Sequence, residues 1–325
     1  MTKKITFIAW VRFHQRSKVL AQNLGATIHF ISHGQRGRLL QLPVRYLFQT
    51  LHTWRVLRRE RPDFIFVQNP PFIAVIIAFL YSRKHGTQYV IDSHTGAFFP
   101  PWSWFLGLHR MLSRRALTTL VHNKSQARIV KGWGCHSMIL DDYRGPLPDG
   151  EPFPLEGGQF NVAVAGDFKA DDEPHEVVFE AAGLLPKINF YVTGDSNRIS
   201  SSLLAKKPNN CFLTGYLPYQ QYLGLLRGVD VILSLTTRNH TLLSCASEAI
   251  ALGTPLITSD WPVLKDRFPM GTIHIPNTVE RIERGVLQAK SNRDTLREEI
   301  LQLRYLLQNE WEQQFKELQC LITKG

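Results

Sequence analysis

The stretch SEAIALGTPLITSD, residues 247–260, with LSLTTRNH, residues 233–240, ahead of it, decides the fold. An apolar strand ends near Leu235, a polar loop follows, and a helix begins near Ser244. Gly253-Thr254-Pro255 stops that helix and opens the next strand. A strand–loop–helix–strand unit of this kind belongs to a parallel, doubly wound α/β sheet. The first amides of such a helix have no partner within it. With the hydroxyls of Thr241 and Ser244 they form a ready place for a diphosphate. Glu248 lies about one turn into the helix, where a carboxylate can accept from a ribose diol or simply favour the helix dipole.

Working outward, strand-like runs at residues 161–165, 189–193, 211–214, 231–235, 256–258 and 272–275 alternate with helical patterns at 173–184, 219–227, 244–252 and 278–289. A long helical pattern, 295–321, closes the chain. The same alternation fills the first half, with strands at 5–10, 27–31, 64–67, 89–92, 118–121 and 138–140 and helices at 16–24, 44–59, 72–85, 104–114 and 125–132. Between the halves, RGPLPDGEPFPLEGG, residues 144–158, holds four prolines and four glycines and almost no apolar periodicity, so it reads as a linker. Two Rossmann-like domains are expected, residues 1–145 and 159–292, with residues 293–325 as a closing helix. Ligands of such sheets sit at the carboxyl ends of the strands, here in a cleft between the halves.

A hydrophobic fraction of 44% over 325 residues suits globular cores. The four cysteines form no CxxC pair, which speaks against a zinc site or a disulfide framework and fits a reducing cytoplasm. The longest apolar run, residues 72–81, falls well short of the roughly 20 residues of a spanning helix, and the opening residues run directly into a strand pattern. Charge is unevenly placed. Residues 1–146 carry 21 Lys and Arg against 5 Asp and Glu, a net of +16; the rest carries 17 against 22. No acidic residue precedes Glu60. That asymmetry points to an anionic partner of the first half: a membrane surface, a pyrophosphate-bearing acceptor or nucleic acid. No recognition-helix or RNP-type motif accompanies it, so nucleic acid is not expected.

The 247–260 run resembles the nucleotide-binding signature of the GT-B glycosyltransferases, of the family-4 kind, a Glu in an EA(M/I)AxGxP context with another Glu eight residues earlier. Glu248 matches the second acidic position, which the resemblance implies binds the donor ribose, while the first falls on His240. FLTGYLPYQQYLGLLRGVDVILSLT, residues 212–236, extends the likeness and implies that Tyr216 and Leu217 flank the base. In the first half DFIFVQNPP (63–71) and YVIDSHTGAF (89–98) resemble the dolichol-pathway β-1,4-mannosyltransferases. Asn69, Asp92 and His94 then end strands where an acceptor would lie, and Pro70-Pro71 opens a helix. Gly166, Asp167 and Lys169 follow the first strand of the second half, where these mannosyltransferases carry a donor loop, with Asp171-Asp172-Glu173 matching their acidic run. Backbone amides beside Gly166 can approach a phosphate closely.

WVRFHQRS, residues 10–17, replaces the Gly-Gly loop of many GT-B enzymes. Its Arg12, His14 and Arg16 either hold an anionic acceptor or make an exposed loop. The basic and apolar helix up to Arg59 and the aromatic cluster from Phe98 to Trp104 fit either a membrane interface or a core-packed helix with snorkelling arginines. The expectation is a GT-B fold and transfer of a sugar from a nucleoside-diphosphate sugar to a glycan or lipid-linked acceptor. His94 or Asp92 would be the base, with no cofactor and no essential metal. The protein would be cytoplasmic, at most peripheral on the inner membrane face. A nucleotide-sugar epimerase of the same architecture and a non-catalytic nucleotide-sugar or glycan-binding protein are the rivals.

Overall fold

The structure, a computed structural model, describes residues 3–33, 42–140, 147–168 and 172–324. Two compact units emerge, Met1–Asp142 with Glu310–Gly325, and Tyr143–Asn309.

In the first unit β1 (Ile5–Ala9), β2 (Thr27–Phe30), β3 (Phe64–Asn69), β4 (Gln88–Ser93), β5 (Thr118–Val121) and β6 (Ser137–Ile139) form one parallel sheet in the order β2-β1-β3-β4-β5-β6. Its helices are α1 (Gln15–Asn23), α2 (Leu42–Glu60), α3 (Phe72–His85), α4 (Leu106–Ser113) and α5 (Lys124–Gly132). Strand β3 reads FIFVQN and is buried at every position, as a central parallel strand covered on both faces must be. Pro71 is the N-cap of α3, one position ahead of the helical start expected for a proline.

The second unit repeats the plan with β7 (Phe160–Val164), β8 (Ile188–Thr193), β9 (Cys211–Gly215), β10 (Val231–Ser234), β11 (Leu256–Ser259) and β12 (Thr272–Ile275), ordered β12-β11-β10-β7-β8-β9 and parallel. Its helices are α6 (His175–Gly183), α7 (Ser201–Ala205), α8 (Tyr219–Gly228), α9 (Ser244–Leu252), α10 (Pro262–Arg267) and α11 (Val279–Ser291). Gly253 ends α9 with φ +74°, and a Cβ there would lie 2.6 Å from Leu301 Cδ2. The left-handed cap is what calls for glycine, since the Leu301 methyl can swing aside.

The Pro/Gly segment does more than connect. Its described residues belong to the second unit, where the Glu151 amide donates to Gln220 O at 3.0 Å. A Cβ on Gly224 of α8 would sit 1.6 Å from Glu151 O, so this glycine exists to let the segment lie against the helix. The last helix, α12 (Arg293–Lys324), contributes to both units, through Asn309 to the second and from Glu310 to the first. Ile300 and Leu303 complete the second unit's core, and near the chain's end Lys3 Nζ donates to Ile322 O at 2.9 Å. Among the described residues no helix is long and apolar enough to cross a membrane.

Candidate active site

Parallel strands β3, β4 and β5 bring Asn69, Asp92-Ser93-His94 and His122 to one end of the first sheet. Asp92 is fully buried, and Arg16 Nη2 donates to its Oδ1 at 3.1 Å while His94 Nε2 lies 3.1 Å from its Oδ2. Burial alone would raise the Asp92 pKa. The Arg16 guanidinium, then the charge and hydrogen bond of His94, then His122, outweigh it and hold the carboxyl well below the usual carboxylate range. The His94 ring is met edge-on by His14 at 4.7 Å and by His122 at 4.8 Å between centroids. Gln126 pins this end: its Nε2 donates to Thr95 Oγ1 at 3.0 Å, and its Oε1 accepts from the His122 amide at 3.1 Å.

The sequence-expected acceptor residues divide. His14 caps α1, accepting from the Ser17 amide at Nδ1, and so stands beside His94. Arg16, expected in an acceptor-binding or exposed loop, is instead 7% exposed and serves as the counter-ion of Asp92. Arg12 remains exposed. Asn69 is wholly buried, its Nδ2 donating to Ser93 Oγ at 3.3 Å, so its expected contact with an acceptor gives way to bracing β3 against β4. Ser93 Oγ lies 2.9 Å from His109 Nε2. Burial drives the His109 pKa down to about 4. His122 and His109 were not singled out from sequence. The signal for His122 was present, since it follows β5 immediately, as His94 follows β4.

The carboxylate and imidazole atoms of Asp92, His94 and His122 lie within 4.8 Å of one another, a set able to ligate a cation. Arg16 already neutralises Asp92 from its other oxygen, which sets a positive charge against any incoming metal.

The second unit holds a cavity of about 350 Å³ at the carboxyl end of its sheet. Gly166 and Asp167 after β7, Gly194 after β8, Tyr216 and Leu217 after β9, and Leu243-Ser244-Cys245 opening α9 line it. Leu243, the N-cap of α9, gives that helix no side-chain cap. The Asp167 amide donates to Glu173 Oε2 at 3.0 Å, and His175 Nε2 lies 2.9 Å from the same oxygen. A Cβ on Gly166 would come within 2.9 Å of that oxygen, so the glycine permits an anion to settle on the loop amide. Glu173, matched from sequence only as part of an acidic run, is that anion.

Other expected donor contacts are placed differently. Glu248, expected to face a ribose directly, is buried and accepts from the Tyr222 hydroxyl at 3.0 Å, and it is Tyr222 that lines the cavity. Burial, then Cys245 and Glu248, push the Tyr222 phenol well above its ordinary pKa, so it stays a donor. Tyr216 is 84% exposed at the rim. His240 is exposed, its Nδ1 3.1 Å from Asn239 Oδ1, and neither it nor Thr241 lines the cavity. Lys169 and Asp171 lie outside the described residues.

Two six-stranded parallel sheets with flanking helices, one in each unit, define the GT-B glycosyltransferase fold. A glycosyltransferase from Rickettsia africae ESF-5 is similar over 100% of both chains, with TM-score 0.71 and 12% identity. HepE of Anabaena in complex with UDP matches 98% of this chain and 100% of its own, with TM-score 0.70 and 10% identity. A protein described as a UDP-N-acetylglucosamine 2-epimerase from Listeria monocytogenes matches over 92% of this chain and 91% of its own, with TM-score 0.65 and 12% identity. No family model and no curated protein matches the chain.

Proposed function

We propose that the protein is a glycosyltransferase that moves a sugar from a nucleoside-diphosphate sugar to the hydroxyl of a glycan or lipid-linked acceptor. The observation that carries this reading is the Asp92–His94 pair at the sheet end of the first unit, in a chain whose second unit opens a cavity on an uncapped helix terminus.

Each part has a task. His94 Nε2 is held by Asp92, which leaves Nδ1 to take the acceptor proton, and the ionised Asp92 stabilises the imidazolium that forms. The N-terminus of α9, which no side chain caps, receives the diphosphate with Ser244 and stabilises the charge that grows on it as the glycosidic bond breaks. The Asp167 amide holds Glu173, so a phosphate oxygen takes that place only where the carboxylate swings away. Tyr216 and Leu217 cover the base, and Tyr222, braced by Glu248, faces the ribose. The UDP bound by the HepE neighbour makes a uridine nucleotide the first donor to try. No divalent ion enters this scheme, and turnover is expected to survive EDTA.

The likeness to an epimerase-described fold supports a second reading, reaction of a UDP-sugar without an acceptor. Incubation with UDP-, GDP- and dTDP-sugars, with and without glycan and lipid-linked acceptors, separates the two. Transferase activity releases nucleoside diphosphate only when an acceptor is present and yields a glycosylated product. An epimerised sugar without acceptor supports the rival, and binding without turnover of any donor would reduce the protein to a nucleotide-sugar-binding module.

A further inference from the structure

The helix α2 buries Val56 and Leu57 in the core yet carries a second apolar stripe on its outer side, in its first half. Val44, Leu47, Phe48 and Leu51 stand at helical spacing on one stripe and are 55%, 57%, 55% and 41% exposed. On its other side Tyr46, Trp54, Val56 and Leu57 join the unit's core, and two polar contacts stand among them: Gln49 Nε2 donates to Ile31 O at 2.9 Å and Trp10 Nε1 donates to Thr53 Oγ1 at 2.9 Å. An amphipathic surface helix ordinarily buries the apolar stripe and exposes the amides. The exposed stripe continues toward the C-terminus as Arg55, Arg58 and Arg59. Across the same layer α3 packs against both α2 and α4, and adds exposed Leu80, with Trp104 and Phe105 leading into α4. Four large apolar side chains exposed together along one helix stripe mark an interaction site.

We propose that this face of the first unit seats on an anionic lipid bilayer, with Val44, Leu47, Phe48 and Leu51 at the acyl boundary and the arginines at the phosphates. Charge chooses the occupant. The first fifty-nine residues hold no carboxylate, so a second copy presenting the same stripe would meet it with like charge. An anionic headgroup layer offers the opposite charge above an apolar interior, which is the order of chemistry along α2. Each basic residue near such a surface is worth about fivefold in partitioning, and that share fades with salt. The apolar share does not. Trp102 is half-buried against Phe72, while Trp104 stands exposed.

The test is co-sedimentation of the full chain with phosphatidylcholine vesicles, alone or with about a third phosphatidylglycerol. Neither donor nor acceptor is needed, so the result is independent of the transferase reading. Wild type is expected on the anionic vesicles and in the supernatant of the neutral ones. Leu47→Glu/Phe48→Glu is expected to lose about tenfold or more in partitioning. Arg55→Glu/Arg58→Glu should weaken binding and flatten its salt dependence, while Leu184→Glu, at an exposed leucine of the second unit, should change nothing. Unchanged thermal unfolding in each variant excludes misfolding as the cause. Equal recovery on neutral and anionic vesicles, wild-type binding by the Leu47→Glu/Phe48→Glu variant, or a concentration-dependent dimer that this variant abolishes without vesicle binding would each overturn the proposal.

Discussion

The carboxyl ends of the two sheets solve opposite problems. In the first unit side chains fill the end: Arg16 and His94 both hold Asp92, His122 meets His94 edge-on, and Ser93 and His109 pack directly behind. In the second unit the corresponding end is hollow, walled by loop glycines, three tyrosines and the start of α9. A filled, charge-compensated end can hold a proton-accepting group in a fixed state and orientation, with little rearrangement on use. A hollow end beside a helix start that no side chain caps can receive something as large as a nucleotide. The same sheet plan therefore gives one unit that keeps its electrostatics internal and another that leaves them open to a ligand.

The strongest way to break this contrast is to remove the imidazole. His94→Ala should lower kcat roughly 100- to 10,000-fold, the usual span of a general base, while leaving UDP affinity unchanged in calorimetry. Turnover within a factor of about three of wild type would strip His94 of its role. Asp92→Asn probes the compensation itself. It leaves Arg16, 7% exposed, without its counter-charge, and breaking a buried pair from one side costs about 3–5 kcal/mol of stability. A urea-unfolding loss below about 1 kcal/mol would mean that water, not Asp92, balances Arg16.

A third effect belongs to His109 behind the pair. Its folded pKa of about 4 is below the ordinary 6.5, so the unfolded chain binds the proton more tightly. Stability from this group is complete above the unfolded pKa, is lost as pH falls from 6.5 toward 4, and totals about 3 kcal/mol. Asp92 loses its own contribution in the same direction but at lower pH, since its depressed pKa matters only below the ordinary 3.8. Unfolding by urea at pH 7 and pH 5 should show a slope in wild type that His109→Gln largely removes. An equal slope in both would assign it to other groups.

The fold was far more legible than the site. Buried parallel strands advertise themselves as short unbroken apolar runs, and FIFVQN or FNVAV need no partner to be recognised. Short helices do not: SSLLA in α7 and PVLKDR in α10 are too brief to show a period, although Pro262 at the first turn was a usable start signal. Strand ends placed Asp92 and His94 correctly, because topology alone takes them there. Arg16 meets Asp92 across 76 positions of sequence, and nothing local says that an arginine in a polar loop folds inward. The orientation of α2 was equally hidden, since LPVRYLFQTL is compatible with either face toward the core until Gln49 and Thr53 find Ile31 and Trp10.

The smallest expected effect lies in the hollow end, and it asks whether Glu248 meets the donor itself or acts through its neighbour. Tyr222 lines the cavity and donates to Glu248, which lies buried behind it. A carboxylate in that place fixes the phenol's orientation and needs no contact of its own with the ribose. Loss of a hydrogen bond to a charged group costs about 1.5–3 kcal/mol, so Glu248→Ala should weaken UDP binding roughly tenfold or more. If Glu248 works through Tyr222, then Tyr222→Phe should weaken binding to a similar degree, and the double variant should be no worse than either single one. A direct ribose contact predicts instead that Tyr222→Phe is nearly silent and that the two changes add. Calorimetric affinities of the four proteins decide between these routes. Wild-type affinity in a folded Glu248→Ala variant would place the nucleotide away from this wall, and with it the second unit's part in the comparison.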